Sequence, residues 1–224
     1  MDSIKYSMID LSHNIEDGMI TYPGLPGPVL SDHLSRGESR SHYSPGTEFH
    51  IGRIEMVANT GTYIDSPFHR YAGAEDLSEL PLASIANLEG LVLRATRVTG
   101  SRIDAGAFSS MDVKDKAVLV HTGWAEHWRT EAYGHGHPFL SEDAARWLVE
   151  AGAALVGIDS LNIDDTADGR RPAHSTLLEN RIPIVEHLCN LEALPDSGFR
   201  FFAVPPRIKG LGSFPVRAFA IVRD

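Results

Sequence analysis

The chain has 224 residues, of which 42% are hydrophobic and 22% charged, as is typical of a folded globular protein. A net charge of -10 disfavours nucleic acids and anionic membranes as partners, because both need clustered Lys and Arg. The single cysteine, Cys189, excludes an intramolecular disulfide and a cysteine zinc motif, and its apolar surroundings predict a packed thiol. No basic region followed by an apolar run opens the chain, so we expect no signal peptide and a cytoplasmic location.

The first half of the chain is predicted to consist of strands and one long loop. Clusters of Val, Leu, Ile and Met predict strands at 8–11, 49–58, 91–98 and 117–121. The stretch 20–45 is rich in Pro, Gly and Ser, which predicts an ordered loop. We interpret this loop as a candidate lid or an arm between subunits.

The second half of the chain is predicted to alternate helices and strands. A Ser N-cap, acidic residues in the first turn and a closing Gly predict a helix over 141–152. A short helix is expected at 175–180 and a helical turn at 188–194. Strands are expected at 155–158, 182–185, 199–204 and 216–222. The pattern predicts a single α/β domain over 1–224, with a mixed or barrel-like β core and surrounding helices.

A polar segment at 59–69 follows the strand predicted at 49–58. Gly61 permits a tight backbone and Pro67 stiffens the exit, so Asp65 and His69 are expected to project from an ordered turn. Catalytic groups concentrate on such rigidly held loops. The simpler interpretation is a turn whose Asp caps backbone amides.

A second candidate segment carries His174 and Glu186. Glu186 lies among apolar residues, where a carboxylate is costly unless it is paired or bound to a metal. His174 alone is more typical of a capping or core histidine. Together with Asp65 the two residues could form an Asp/His/Glu metal site, although the sequence does not show that the segments meet.

The chain resembles the bacterial cyclase family, which includes metal-dependent kynurenine formamidases and isatin hydrolases. The resemblance covers nearly the whole chain and is carried by blocks at 9–24, 59–69, 118–124, 156–164 and 174–195, with a tail at 206–217. It implies a swivelling β/β/α-type domain. It also implies a homodimer or higher homo-oligomer with active sites near subunit contacts.

The family signature is His-x-Gly-Thr-His-x-Asp-x-Pro-x-His. In the family, the two leading histidines and the Asp bind one divalent ion, the Asp with a later His and Glu binds a second, and the last His acts as an acid–base group. Carried onto this chain, the resemblance assigns the second ion to Asp65, His174 and Glu186 and the acid–base role to His69.

Two signature positions depart from the family, because Asn59 and Tyr63 stand where the leading histidines are expected. An Asn carbonyl oxygen is a weak zinc ligand. Tyr63 would bind well only as phenolate, and its deprotonation at pH 7 from a pKa near 10 costs about 4 kcal/mol. We therefore expect either one divalent ion, Zn²⁺ or Mn²⁺, at Asp65, His174 and Glu186, or no metal.

These residues leave three functional hypotheses. With a metal, the chain would hydrolyse a small aromatic or cyclic amide, with His69 moving the proton. Without a metal, His69, Asp65, Tyr63 and Glu186 would form an acid–base cluster suited to cyclisation, dehydration or isomerisation in small-molecule biosynthesis. A non-catalytic binding module is the third. We favour an enzyme acting on a small molecule, because four of the six ionisable signature positions are retained.

Further residues are predicted to surround the site, each with an ordinary structural alternative. They are Tyr22, Phe68, Trp124 and Phe214 as pocket walls, His121 at the pocket edge, Asp159 and Asp164 as hydrogen-bonding support, and Arg171 for a substrate carboxylate. A glycine-flanked pair, His135 and His137, could chelate a metal but is more typical of a flexible surface loop.

Overall fold

The computed structural model describes residues 5–96 and 101–223, and its main element is a nine-stranded mixed sheet. The strands within these ranges are β1 (Tyr6–Asp10), β2 (Val29–Leu34), β3 (Ile51–Glu55), β4 (Tyr63–Asp65), β5 (Leu88–Arg94), β6 (Arg102–Ile103), β7 (Ala117–His121), β8 (Phe139–Leu140), β9 (Leu155–Ile158), β10 (Ile184–Glu186), β11 (Ser197–Phe202), β12 (Ser213–Pro215) and β13 (Phe219–Arg223). Their order across the large sheet is β1-β13-β11-β5-β7-β9-β10-β4-β12. Strands β5, β7, β9 and β10 are parallel, and the other neighbours are antiparallel. The predicted α/β class with a mixed β core is confirmed.

Helices are short and few. The α-helices of the described ranges are α1 (Arg36–Ser39), α2 (Glu142–Glu150) and α3 (Pro172–Glu179). Single 3₁₀ turns are found at Pro67–His69, Leu82–Ser84, Ala105–Phe108, Trp124–His127, Glu131–Gly134 and Leu191–Ala193. No helix among the described residues combines the length and the apolar character that crossing a bilayer requires.

The sheet curls until its two ends meet. Strands β12 and β13 lie near opposite ends of the strand order, yet only residues 216–218 separate them in sequence. The amide of Val216 donates to the carbonyl of Thr62 (2.9 Å), and the amide of Leu11 donates to the carbonyl of Ala218 (2.9 Å). These bonds join the β4 end of the sheet to the β1 end, so one face becomes the inside of a barrel-like core.

Two apolar clusters cover the two faces of the sheet. Leu119 and Phe201 pack inside the curl. Val120 points to the opposite face, where α2 and α3 cover it with Leu148 and Leu177. All five side chains are fully buried, which contributes about 1.5–3 kcal/mol for each large apolar side chain. The predicted strands at 117–121 and 155–158 are confirmed, and both are buried throughout, as expected where both faces are covered.

The first turn of α2 has the cap that the sequence predicts. The Ser141 hydroxyl accepts a hydrogen bond from the Ala144 amide (3.1 Å), and Glu142 and Asp143 lie in the first turn. Gly152 follows the helix with a φ of +80°, where a residue with a Cβ would be strained. Cap and exit together fix the direction in which the chain enters β9.

The stretch 20–45 is not only a loop, because it contains β2 and α1. Strand β2 pairs with β3 in a separate two-stranded sheet. The strand predicted over 49–58 is this β3, which is shorter than expected and lies outside the large sheet. We call this β2–β3 sheet the arm. Its large apolar side chains are exposed: Val29, Leu30, Ile51 and Ile54, with Phe49 beside them.

Other element boundaries also differ from the predictions. The segment 59–69 was predicted to be a polar turn, but its centre is the buried strand β4. Helix α3 begins at Pro172, because proline at the first helical position loses no hydrogen bond that the helix needs. The strand predicted over 91–98 is β5, which ends at Arg94, and residues 97–98 lie outside the described ranges. Strand β12 was not predicted at all.

Candidate active site

Strand β4 brings the first candidate residues into the interior. Tyr63 and Asp65 alternate with Ile64, so both face the side of the sheet opposite the core cluster that Ile64 joins. Tyr63 lies opposite Glu186 of β10, and Asp65 lies opposite Ser213 of β12. Gly61, with a φ of +66°, provides the turn into the strand, as predicted. The pleat therefore collects four polar side chains on one surface.

His174 faces this surface from α3. Its Nδ1 lies 2.7 Å from Oδ2 of Asp164, whose carboxylate also accepts hydrogen bonds from the backbone amides of Ala173 (2.6 Å) and His174 (3.0 Å). Asp164 thus caps the helix and orients the ring, confirming its predicted supporting role. The Nε2 atom of His174 is left 3.6 Å from both Asp65 Oδ2 and Glu186 Oε1.

Glu186 is fully buried and held on both oxygens. The Tyr63 hydroxyl donates to Oε2 (2.5 Å), and the Ile163 amide donates to Oε1 (2.6 Å). Burial raises the pKa of Glu186 to about 7, although the charge of His174 opposes this. Burial, and then the charges of Glu186 and Asp65, hold the pKa of Tyr63 well above its usual value, so Tyr63 is a phenol that donates.

Asp65 and His174 carry the charge of the site. Burial favours the protonated form of Asp65, but interaction with His69 and His174 outweighs it, and the pKa of Asp65 is lowered. Burial opposes a charge on His174 as well, yet the charge of Glu186 and the hydrogen bond with Asp164 raise its pKa to about 10. Without another cation, an imidazolium therefore stands among these carboxylates.

His69 projects from the 3₁₀ turn after β4 and is the most exposed of these side chains. Its Nδ1 lies 2.8 Å from the hydroxyl oxygen of Ser213, which in turn donates to Oδ1 of Asp65. A hydroxyl has one proton to donate, so the hydrogen bond with His69 is donated by Nδ1. The neutral ring then has its lone pair on Nε2, where it can accept a proton.

Gly212 allows β12 to approach His69 closely. A Cβ on Gly212 would lie 2.4 Å from the backbone N and Cα of His69, closer than atoms can pack. The carbonyl of Gly212 accepts a hydrogen bond from the Ser66 amide (2.7 Å). Only glycine lets Ser213 reach both His69 and Asp65.

A cavity of about 460 Å³ opens onto these residues. Tyr63, His69, His174 and Glu186 line it, together with Asn59, Tyr22, Arg70 and Arg171. Its size suits a small organic molecule. The structure thus brings together the predicted catalytic residues, His69, Asp65 and Tyr63, and the predicted ligands, Asp65, His174 and Glu186.

The donor groups fit one divalent ion. Oδ2 of Asp65 is buried and has no hydrogen-bond partner among the described residues. It faces Nε2 of His174, whose other nitrogen is fixed by a carboxylate, an arrangement common for metal-binding histidines. Asp65, His69 and His174 each offer one ligand atom, all within 4.8 Å of one another. Glu186 Oε1 lies 3.6 Å from the same Nε2, so either His69 or Glu186 can complete the set.

Several other predicted residues lie away from the cavity. Of the four proposed aromatic walls only Tyr22 lines it; Trp124 donates instead to the Tyr133 carbonyl, and Phe214 packs on the core. His121 at the end of β7 contacts Arg94. His121 ends β7 and Trp124 follows it, whereas Phe214 alternates with Ser213 on β12 and therefore faces the core. A linear sequence reveals neither arrangement.

Three further expectations concern residues outside the site. Asp159 accepts hydrogen bonds from the amides of Thr122 and Gly123, so it supports that loop and not the site. His137 is buried with Nε2 3.0 Å from the Asp164 carbonyl, and the surface-loop interpretation is wrong for it. His135 is exposed. Cys189 is buried as predicted, and burial raises the pKa of its thiol to about 12.

The sequence predictions missed Ser213 and Gly212. A Ser contributes no distinctive signal, and its position beside Asp65 depends on β12, a three-residue strand. The two glycines at 210 and 212 were the one feature of the sequence that indicated a close approach of the backbone to another segment.

Residues 9–165 match the family model described as "Putative cyclase". The kynurenine formamidase of Bacillus cereus is 25% identical over 210 residues, which cover 94% of this chain and 95% of that protein. The kynurenine formamidase of Bacillus thuringiensis subsp. konkukian is 26% identical over 219 residues, with the same coverage.

Solved structures agree with this fold. One described as "The Structure Of Potential Metal-Dependent Hydrolase With Cyclase Activity" has a TM-score of 0.80 at 25% identity, covering 98% of this chain and 100% of that one. Isatin hydrolase A from Labrenzia aggregata, bound to benzyl benzoate, has a TM-score of 0.81 at 20% identity, covering 98% and 94%. The second similarity is evidence of the fold alone.

Proposed function

Because this chain belongs to the cyclase family, we propose that it hydrolyses the C–N bond of a small aromatic or cyclic amide with one divalent ion. It is an enzyme of the amidohydrolase/cyclase type, with kynurenine formamidases among its relatives. The observation that carries the proposal is the buried Asp65–His174 pair, whose facing atoms lie 3.6 Å apart beside the exposed His69. We propose Zn²⁺ or Mn²⁺ because the donors are carboxylate oxygen and imidazole nitrogen.

Asp65 and His174 would hold the ion, with Glu186 or His69 as the third ligand. When bound, the ion supplies a water of lowered pKa and polarises the carbonyl of the substrate. If Glu186 is the third ligand, His69 stays free, and its Nε2 accepts the proton of the attacking water and returns it to the leaving amine nitrogen. The products are a carboxylate and an amine.

Tyr63 and Ser213 keep these groups in place. The phenol holds a proton at Oε2 of Glu186, which leaves Oε1 directed toward His174. Ser213 fixes the tautomer of His69 through the hydrogen bond at Nδ1. The first hydrogen bond keeps the phenol proton on Tyr63, and the second keeps the ring proton of His69 on Nδ1. His69 therefore remains available as a base, and Glu186 remains available as a ligand.

A metal-independent acid–base reaction is the second candidate. The phenol–carboxylate pair of Tyr63 and Glu186 favours it, because a buried carboxyl with a pKa of about 7 can both give and take a proton near neutrality. Cyclisation, dehydration and isomerisation of a small metabolite are the reactions that such a pair supports.

Metal content and chelation distinguish the two candidates. We expect about one Zn²⁺ or Mn²⁺ per purified chain and chelator-sensitive hydrolysis of formamides such as N-formylkynurenine, or of cyclic amides such as isatin. His174→Ala should lose the ion, whereas His121→Ala removes a buried histidine outside the site and should keep it. A protein that retains no ion and turns over a substrate in the presence of chelator would support the acid–base candidate instead.

The homo-oligomer expected from the family is also proposed here, with a second copy of this chain on the arm. A two-stranded sheet is marginally stable on its own, and in this one the cross-strand partners Leu30 and Ile54 share a face and are 40% and 60% exposed. Burial of these side chains against the same surface of a partner would remove apolar area from water.

A further inference from the structure

Three arginines, Arg70, Arg170 and Arg171, line the cavity of this acidic protein. Arg70 contacts the hydroxyl of Ser175 (3.3 Å), and Arg171 donates from Nη1 to the Asp165 carbonyl (2.8 Å). Within 5–96 and 101–223, neither has a carboxylate at ion-pair distance. Their neighbour Arg170, by contrast, is neutralised by Asp168.

The backbone of Arg171 is in an unfavourable conformation. Its φ of 51° and ψ of 61° fall in the left-handed region, which costs a residue with a Cβ roughly 1–2 kcal/mol. Such conformations concentrate at functional sites, where the rest of the structure enforces them. Here the conformation places the arginine at the start of α3, three residues before His174.

We propose that Arg171, assisted by Arg70, binds a carboxylate of the substrate, so that the substrate class is a small amide or lactam bearing a carboxylate away from the bond that is cleaved. The planar N–H fork of a guanidinium matches the two oxygens of a carboxylate. The hydroxyl of Tyr22, within reach of Arg171, adds a donor at the same place. The amide or lactam part of this inference rests on the proposed function. The carboxylate-binding part does not.

Two formamides test the proposal, because 4-formamidobenzoate and formanilide differ only in the carboxylate. With the metal-loaded protein, Arg171→Gln should lower kcat/KM for 4-formamidobenzoate by about 10–100-fold, mainly through KM, as expected for a lost charged hydrogen bond. Turnover of formanilide should change by less than about threefold. Arg70→Gln should act in the same direction more weakly. The matched control is Arg181→Gln, an exposed arginine just beyond the other end of α3, which should leave both substrates unchanged.

A binding measurement separates this inference from the proposed function. If the wild type hydrolyses neither formamide, calorimetric titration with 4-aminobenzoate decides alone. At least tenfold weaker binding to Arg171→Gln than to wild type supports the anion site, even though the hydrolase proposal then lacks support. Equal binding to both proteins, no binding to either, or equal losses of turnover on both formamides would overturn the proposal.

Discussion

The hydroxyl oxygen of Ser213 lies 2.8 Å from Nδ1 of His69 and accepts its hydrogen bond. Because the single proton of that hydroxyl goes to Asp65, the serine connects a buried acid with an exposed base. The base therefore has a defined tautomer before any substrate arrives. The His69 ring could not fix its own tautomer, since an imidazole has two nitrogens that compete for the proton.

Removal of this hydroxyl should slow the reaction without unfolding the protein. We expect Ser213→Ala to lower kcat by about tenfold with little change in KM, because it loosens the orientation of the base and not the binding of the substrate. Steady-state kinetics on a formamide measures kcat and KM separately.

The matched control for this prediction is Ser66→Ala. Its hydroxyl is also buried near His69 but has no hydrogen-bond partner among the described residues. Its loss should change kcat by less than about twofold. Equal losses in the two variants would show that the bond with His69 has no role in the rate.

The presence of Asn59 and Tyr63, where the family signature leads us to expect two histidines, predicts the metal stoichiometry. Asn59 and Tyr63 line the same cavity, beside Glu186. We expect the double variant Asn59→His and Tyr63→His to bind about two ions per chain where the wild type binds one, because imidazole replaces a weak ligand and a phenol that stays protonated. Elemental analysis after desalting gives the count.

Two ions in the wild type would contradict this prediction directly. The phenol would then have to ionise despite the burial and the nearby charges that raise the pKa of Tyr63. Tyr63→Phe provides the check, since it cannot form a phenolate and should bind the same number of ions as the wild type.

His13 predicts how stability depends on pH. Its ring stacks on Trp128 at 4.0 Å, and burial lowers its pKa to about 4. This histidine takes up a proton near pH 6.5 in the unfolded chain but only near pH 4 in the folded protein. The stabilising contribution of neutral His13 is therefore present above pH 6.5 and is lost as the pH falls from 6.5 through 4. In that pH range, the protonation of His13 should lower the free energy of unfolding by up to about 1.4 kcal/mol per pH unit.

His13→Phe tests this assignment, because it keeps the stacked ring and removes the titration. Nε2 of His13 has no partner among the described residues, so no hydrogen bond is lost there. Urea unfolding of the chelator-treated protein between pH 7.5 and 4.5 should show a shallower pH dependence for the variant. Parallel curves for the two proteins would assign the acid sensitivity to other groups.

The arm predicts the oligomeric state. We expect light scattering to give at least twice the mass of one chain, and Ile54→Glu to shift the protein toward the monomer, because a buried unpaired carboxylate is costly. Glu55→Gln, on the same strand, leaves the apolar face intact and serves as the control. A wild type that is monomeric at micromolar concentration would contradict the second-copy proposal.

The sequence predicted those features that local patterns encode. Continuous apolar runs marked β7 and β9, and the Ser141 cap marked α2. The site residues Asp65, His69, His174 and Glu186 followed from the family signature and from the cost of an unpaired buried carboxylate. Their number and type could thus be predicted before any contact was known.

The rest depends on pairings between distant segments. Strand β4 reads as a polar loop because its polar residues face the site, and only its neighbours β10 and β12 explain their burial. Ser213 was hidden for the same reason: a hydroxyl is an ordinary surface group until another element faces it. Arg171 was proposed for a carboxylate, but its left-handed backbone is not visible in the sequence.

The connection between β12 and β13 has a consequence for the order of folding. Ser213 follows His69 by 144 residues, so their contact closes a long loop, and long-range contacts of this kind slow folding. We expect the strands between them to be arranged before the last segment joins the two ends of the sheet. On that expectation, catalytic competence would come with the final closure, and a folding intermediate lacking it would contain the acid and the base without the serine that joins them.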